Sequence, residues 1–151
     1  MITSRIDKYE WAMGLALTTA RRGSCRRRQV GCVLLNERYE VLATGYNGSP
    51  RGFPHCTDFP CAGAYARSGE GLDLCEAIHA EQNALLQCED VNCIRYCFCT
   101  AEPCVHCVKL LLNTSCQHVI FNESYPGNAK QLWMITHFAN SWRLMSDVRS
   151  T

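Results

Sequence analysis

The chain has 151 residues, of which 47% are hydrophobic and 19% charged, and its formal net charge is +1. That length suits one domain with one core; the near-neutral charge argues against a surface built to grip a nucleic-acid backbone, and no apolar run approaches the roughly 18 residues of a membrane span. Cysteine is the outlier at 12 residues, which in an intracellular chain points to metal binding before disulfides, with about half expected to be small core residues.

The opening "MITSRIDKYEW" is charged and lacks the apolar stretch of a secretory signal, so a cytoplasmic protein is expected. Ile6 to Arg21 reads as a helix, with Ile6, Tyr9, Met13, Ala16, Leu17 and Ala20 at helical spacing. Gln29–Asn36 and Val41–Asn47 are two β-rich runs around "ERYE" and predict an antiparallel hairpin. Gly48 to Cys75 is a long loop rich in Gly, Pro and Cys, a length that in one domain is either functional or pinned. A helix is expected from near Ala77 to Cys88, a strand over Cys93–Thr100, a helix over "CVHCVKLLLNT", a strand over "HVIFNE", a helix over Asn128–Phe138 and a last strand over Trp142–Met145. Strand and helix alternating at these spacings imply parallel crossovers in one sheet. The expected architecture is a single α/β/α domain over residues 1–151 that begins with an antiparallel hairpin.

The chemistry concentrates in "HAE" and "PCVHC". Pro103 fits the first position of a helix, where its missing N–H costs nothing. Cys104 and Cys107 follow three apart, on one face and at the positive helix end, which favours thiolates. His79 opens the preceding helix, at the same edge of the sheet. One imidazole and two thiolates make three ligands, and a catalytic zinc leaves its fourth position to water. A closed structural zinc would need a fourth protein ligand; His106 lies between the cysteines and points off their face. Glu81, two residues past His79, can reach the open side of the metal and carry protons there. H-x-E with P-C-x-x-C is the signature of zinc nucleobase deaminases.

Beyond these motifs, "QVGCVLLN", "GYNGSP", "HCTDFPC", "IHAEQNALL" and "EPCVHC" make nearly the whole chain resemble the deoxycytidylate (dCMP) deaminases of bacteria and phages. The tRNA adenosine deaminases share "HAE" and "EPCVHC", but their loop before the histidine is short. The resemblance implies the cytidine-deaminase-like α/β/α fold, a mixed five-stranded sheet with helices on both faces. It implies zinc-dependent hydrolysis of dCMP to dUMP and ammonia, feeding thymidylate synthesis. It implies that Asn47 meets the sugar 3′-hydroxyl and that Ala80 and Ala101 lie near the exocyclic amine. It also implies a homo-hexamer activated by dCTP and inhibited by dTTP with Mg2+, with no nucleic-acid or membrane partner.

Other residues are candidates on their own chemistry. Arg26, with Arg27 and Arg28, could meet the 5′-phosphate, and Tyr125 could close over the nucleotide. Cys25, Cys56, Cys61 and Cys75 could hold a second, structural zinc that pins the long loop, as in related phage enzymes; free thiols, or His55 in place of one, are the alternatives. Tyr46, Asn47, Gly48 and Arg51 could bind an effector triphosphate, through backbone N–H groups of "NGS" and the arginine cation. Two other functions compete: a zinc-stapled binding module without catalysis, and a polynucleotide deaminase.

Overall fold

The computed structural model of the chain describes residues 4–67, 70–71 and 74–148, so Ser68, Gly69, Leu72 and Asp73 of the long loop lie outside the described residues. β1 (Gly31–Leu35) is buried at every position, as an unbroken apolar run should be when both sheet faces are covered. It runs antiparallel to β2 (Val41–Tyr46) on one side and to β3 (Tyr96–Ala101) on the other. β3 pairs parallel with β4 (His118–Glu123), and β4 parallel with β5 (Trp142–Leu144). The mixed five-stranded sheet therefore has the order β2-β1-β3-β4-β5.

Because side chains alternate across a strand, each strand feeds two cores. Val33, Leu35, Phe98 and Ile120 face α1 (Lys8–Ala20) and α5 (Met145–Val148), packing on Ala12, Met13, Ala16 and Met145. Cys32, Leu34, Cys97, Cys99 and Val119 face the opposite layer. There α2 (Ala80–Gln87), α3 (Val105–Leu112) and α4 (Ala129–Trp133) supply Ala84, Val108, Leu111 and Trp133. Phe98 and Trp133 are fully buried, each contributing about 2–3 kcal/mol of transfer free energy. Two glycines let helices lie directly on the sheet: a Cβ on Gly31 would stand 2.1 Å from the Ala16 carbonyl oxygen, and one on Gly45 would stand 2.3 Å from that of Ala80. Among the described residues no helix is long and apolar enough to cross a membrane.

Several element boundaries differ from the sequence expectation. α1 starts at Lys8 because Asp7 caps it, its carboxylate accepting from the Glu10 N–H at 2.8 Å. The second helix starts at Ala80, not near Ala77, because Ile78 is held extended by a two-way backbone bridge to Gly48, at 2.8 and 3.1 Å. β3 starts at Tyr96, since Asp90 caps a short 3-10 turn over Val91–Cys93. The fourth helix stops at Trp133. Its indole N–H donates to Ser141 Oγ at 2.8 Å and turns the chain back toward β5.

Candidate active site

α2 and α3 begin at the same edge of the sheet, and their first residues meet. His79 is the N-cap of α2, fixed by its own N–H donating to the Gln82 side-chain oxygen at 2.8 Å. Cys104 is the N-cap of α3, and Cys107 lies in its first turn. Pro103 thus precedes the cap and does not open the helix; it is fully buried beneath the turn. His79 Nδ1 stands 3.5 Å from Cys104 Sγ and 3.3 Å from Cys107 Sγ, and the three donor atoms lie within 4.8 Å of one another. Zinc bonds of about 2.3 Å to sulfur and about 2.0 Å to nitrogen put tetrahedral N and S donors about 3.6 Å apart. The donor set therefore fits zinc. His106 is exposed on the cleft rim and is not among the three donors.

The electrostatics are those of a proton-sharing pair. Hydrogen bonding from Cys107, then from His79, draws the Cys104 thiol down to about 3. Cys107, which gives that bond, is pushed far above the thiol range. Hydrogen bonding to Cys104 raises His79 against the opposing effect of burial. Glu81 follows in the first turn of α2, only 4% exposed. Burial lifts its carboxyl to about 7, with a hydrogen bond to Cys107 pulling the other way. A carboxyl near neutrality in a dry pocket beside the donor set is matched to taking and returning protons.

This site floors a cleft of about 900 Å³, within the size range of a ligand pocket. Asn47, Ala80, Ala101 and Tyr125 all line it. Asn47 is buried, its Oδ1 accepting from the Val30 N–H at 2.8 Å and its Nδ2 donating to the Arg28 carbonyl at 2.6 Å. Arg26 is exposed, reaches the Thr57 carbonyl at 3.5 Å and lies 5.5 Å over the ring of Tyr65, which lines the cleft, but is not itself a lining residue. Its neighbours Arg27 and Arg28 line the cleft instead. Arg27 donates to the carbonyls of Gly63, Arg67 and Glu70, at 2.7 to 3.4 Å, and so straps the long loop to the cleft. Arg28 pairs with Glu123 and lies 5.8 Å over the Tyr125 ring.

The N–H groups of Asn47 and Gly48 are committed to the carbonyls of Val30 and Ile78, so those two are not free for a triphosphate. The Tyr46 carbonyl accepts from Asn83, and Arg51 is exposed. Of the loop cysteines, Cys56 and Cys61 stand 3.8 Å apart, and Cys25 and Cys61 are within electrostatic reach of Cys75. The four do not close to 4.8 Å of one another as His79, Cys104 and Cys107 do.

Glu102 escaped the sequence reading. Its carboxylate accepts from the Tyr125 N–H at 3.0 Å and from the Trp142 indole at 2.7 Å, holding the cleft wall to β5. Its place just before Pro103 was the only local signal. Gln82, three residues past His79, carried the stronger signal of a capping box.

Residues 6–123 match the family profile of the cytidine and deoxycytidylate deaminase zinc-binding region. The deoxycytidylate deaminase of Schizosaccharomyces pombe is 38% identical over 117 residues, covering 75% of this chain. The chain spans only about a third of that protein, 36% of its length. The deoxycytidylate deaminase of Mycobacterium phage D29 is 36% identical over 124 residues, covering 78% of this chain and 96% of the phage protein. In fold, the chain is similar to dCMP deaminase of cyanophage S-TIM5 solved with dCMP and dUMP: the TM-score is 0.69 at 23% identity, covering 94% of this chain and 98% of that one.

Proposed function

Because the chain belongs to the cytidine and deoxycytidylate deaminase family, we propose that it hydrolyses dCMP to dUMP and ammonia. The observation that carries this is Glu81, a buried carboxyl lifted to about 7 beside two thiols and an imidazole at zinc spacing, on the floor of a nucleotide-sized cleft. His79, Cys104 and Cys107 would hold the metal. Zinc supplies Lewis acidity that brings water toward ionisation near neutral pH. Glu81 takes the water proton on its carboxylate, passes it to the ring nitrogen beside the amine-bearing carbon, and delivers a proton to the departing amine. The backbone at Ala80 and Ala101 faces the amine, and Asn47 faces the sugar. Arg28, with the Tyr125 ring, is the better-placed partner for the 5′-phosphate, since both line the cleft and Arg26 does not. The name of the 96%-covered phage relative favours the free nucleotide over a polynucleotide substrate.

A second zinc at Cys25, Cys56, Cys61 and Cys75 is supported by their gathering at one end of the loop. It requires the four sulfurs to draw together. Regulation by dCTP and by dTTP with Mg2+ at a subunit boundary rests on family resemblance, and Arg51 is its remaining local support. So does the hexamer. All 12 cysteines are free, which suits a cytoplasmic setting. Ammonia release from dCMP, measured beside deoxycytidine, dCTP and adenosine-containing RNA, tests the substrate. Preference for RNA, or no release from dCMP by zinc-loaded protein, overturns it.

A further inference from the structure

A second group of three donors lies within 4.8 Å of one another, and the reaction does not use it: Cys32, Cys97 and Cys99, all with zero exposure. Cys32 on β1 faces Cys99 across the antiparallel pair, and Cys97 lies diagonal to it on the same sheet face. The sulfurs of Cys32 and Cys97 are 3.6 Å apart and those of Cys97 and Cys99 are 3.5 Å apart. Cys116 is buried in the same core, but its thiol donates to the His118 carbonyl at 3.4 Å. The other three bond to one another. The hydrogen bonds from Cys97 and Cys99 lower the Cys32 thiol to about 7. The surroundings include Leu34, Ala84, Val108 and Val119, and among the described residues no histidine, aspartate or glutamate joins the three sulfurs within 4.8 Å.

Charge decides what such a site takes. A soft monovalent or divalent ion on three thiolates leaves a net charge of −2 or −1 in a dry core. The nearby acid Glu81 adds to that charge and does not offset it, and an uncompensated charge in a dry core is strongly disfavoured. A trivalent centre leaves none. We propose that Cys32, Cys97 and Cys99 form a dry trithiol site for a thiophilic trivalent centre, of which arsenous acid is the simplest. Three As–O bonds break and three As–S bonds form. Each thiol proton leaves with a hydroxyl as water, so no electron is transferred and the product is neutral. A planar ion with bonds of about 2.3 Å would need sulfurs about 4.0 Å apart; a pyramidal centre needs them closer, as the Cys32–Cys97 and Cys97–Cys99 pairs are here. With no exposed sulfur, loading occurs during folding or local opening.

The test refolds reduced protein without oxygen, with zinc in excess to occupy Cys104 and Cys107, in the presence of one equivalent of arsenous acid. The intact mass should rise by one arsenic less three hydrogens. Cys61→Ser should keep this adduct, and Cys97→Val and Cys99→Ala should each lose it. No adduct on the parent, an adduct that survives Cys97→Val and Cys99→Ala, or the loss of only two hydrogens overturns the site. Arsenic X-ray absorption on the parent keeps the test independent of whether a variant folds: three sulfur neighbours support the site, and any oxygen neighbour refutes it. Copper(I) retained in place of arsenic, in competition, would refute the charge argument.

Discussion

Gly45→Ala should damage both the fold and the chemistry. A Cβ at this position would lie 2.3 Å from the Ala80 carbonyl oxygen and 2.3 Å from the Ala84 nitrogen, where ordinary contact begins at 3.4 Å. Both obstacles are backbone, so no rotamer relieves them, and α2 must retreat from β2 by about 1 Å. Overpacking of this kind costs about 3 kcal/mol, offset by about 1 kcal/mol from the lower freedom of alanine in the unfolded chain; a net loss of about 2 kcal/mol is expected. His79 and Glu81 ride on the first turn of α2, and a misplacement of about 1 Å can cost about 100-fold in rate. Urea unfolding with zinc present, together with steady-state ammonia release, reads both effects. Gly14→Ala is the control: nothing lies within 4 Å of its Cβ, and in a helix the change should stabilise by about 1 kcal/mol. A Gly45→Ala protein as stable and as active as the parent would refute the close approach of α2.

Glu81→Gln should keep the zinc and the unfolding midpoint and lose about 1,000-fold in turnover; a loss of less than about tenfold, or about 1.4 kcal/mol, would contradict the proton-carrying role. Elemental analysis should find about two zinc ions per chain, the catalytic one lost in Cys104→Ser and the loop one in Cys61→Ser; a single ion indifferent to Cys61→Ser would leave the loop cysteines as plain thiols. dCTP should lower, and dTTP should raise, the dCMP concentration giving half-maximal rate, each through a coupling of about 1–3 kcal/mol; superimposable saturation curves would show that the chain has no such switch. His118 is held below its usual pKa of 6.5 by burial, then by Arg95 and Arg143. The folded state therefore binds fewer protons than the unfolded chain, and stability is lost as pH falls through about 6.5. His118→Gln should flatten the fall in unfolding midpoint between about pH 7 and pH 5, and an unchanged slope would remove His118 from that account.

What could be read directly from the chain was whatever depends on short spacing. β1 announced itself as an apolar run, and His79 with Glu81 and Cys104 with Cys107 as two short motifs, each at a helix start, where crossover helices return to the same sheet edge. What could not be read depends on pairings across tens of residues. The N–H of Gly48 looked available until Ile78 took it. Arg26, Arg27 and Arg28 are equivalent as letters, yet one reaches Thr57, one straps the loop and one lines the cleft beside Tyr125. "YCFCT" gave no hint that two of its thiols would meet Cys32, since nothing local fixes which strand lies opposite.

The bridge between Gly48 and Ile78 brings the two ends of the long loop together at one point. Its two feet are backbone hydrogen bonds, and Arg27 together with the Thr57 N–H, which donates to the Ser24 carbonyl at 3.1 Å, ties it down, while no strand pairing runs through its described residues. Doubling a flexible loop adds only about 0.6 kcal/mol of closure cost. Insertions at the exposed Arg51 to Phe53 are therefore expected to leave Asn47 and His79 in place, whereas changes at Ala64, Tyr65 or Cys75 would reshape the roof of the cleft that they line.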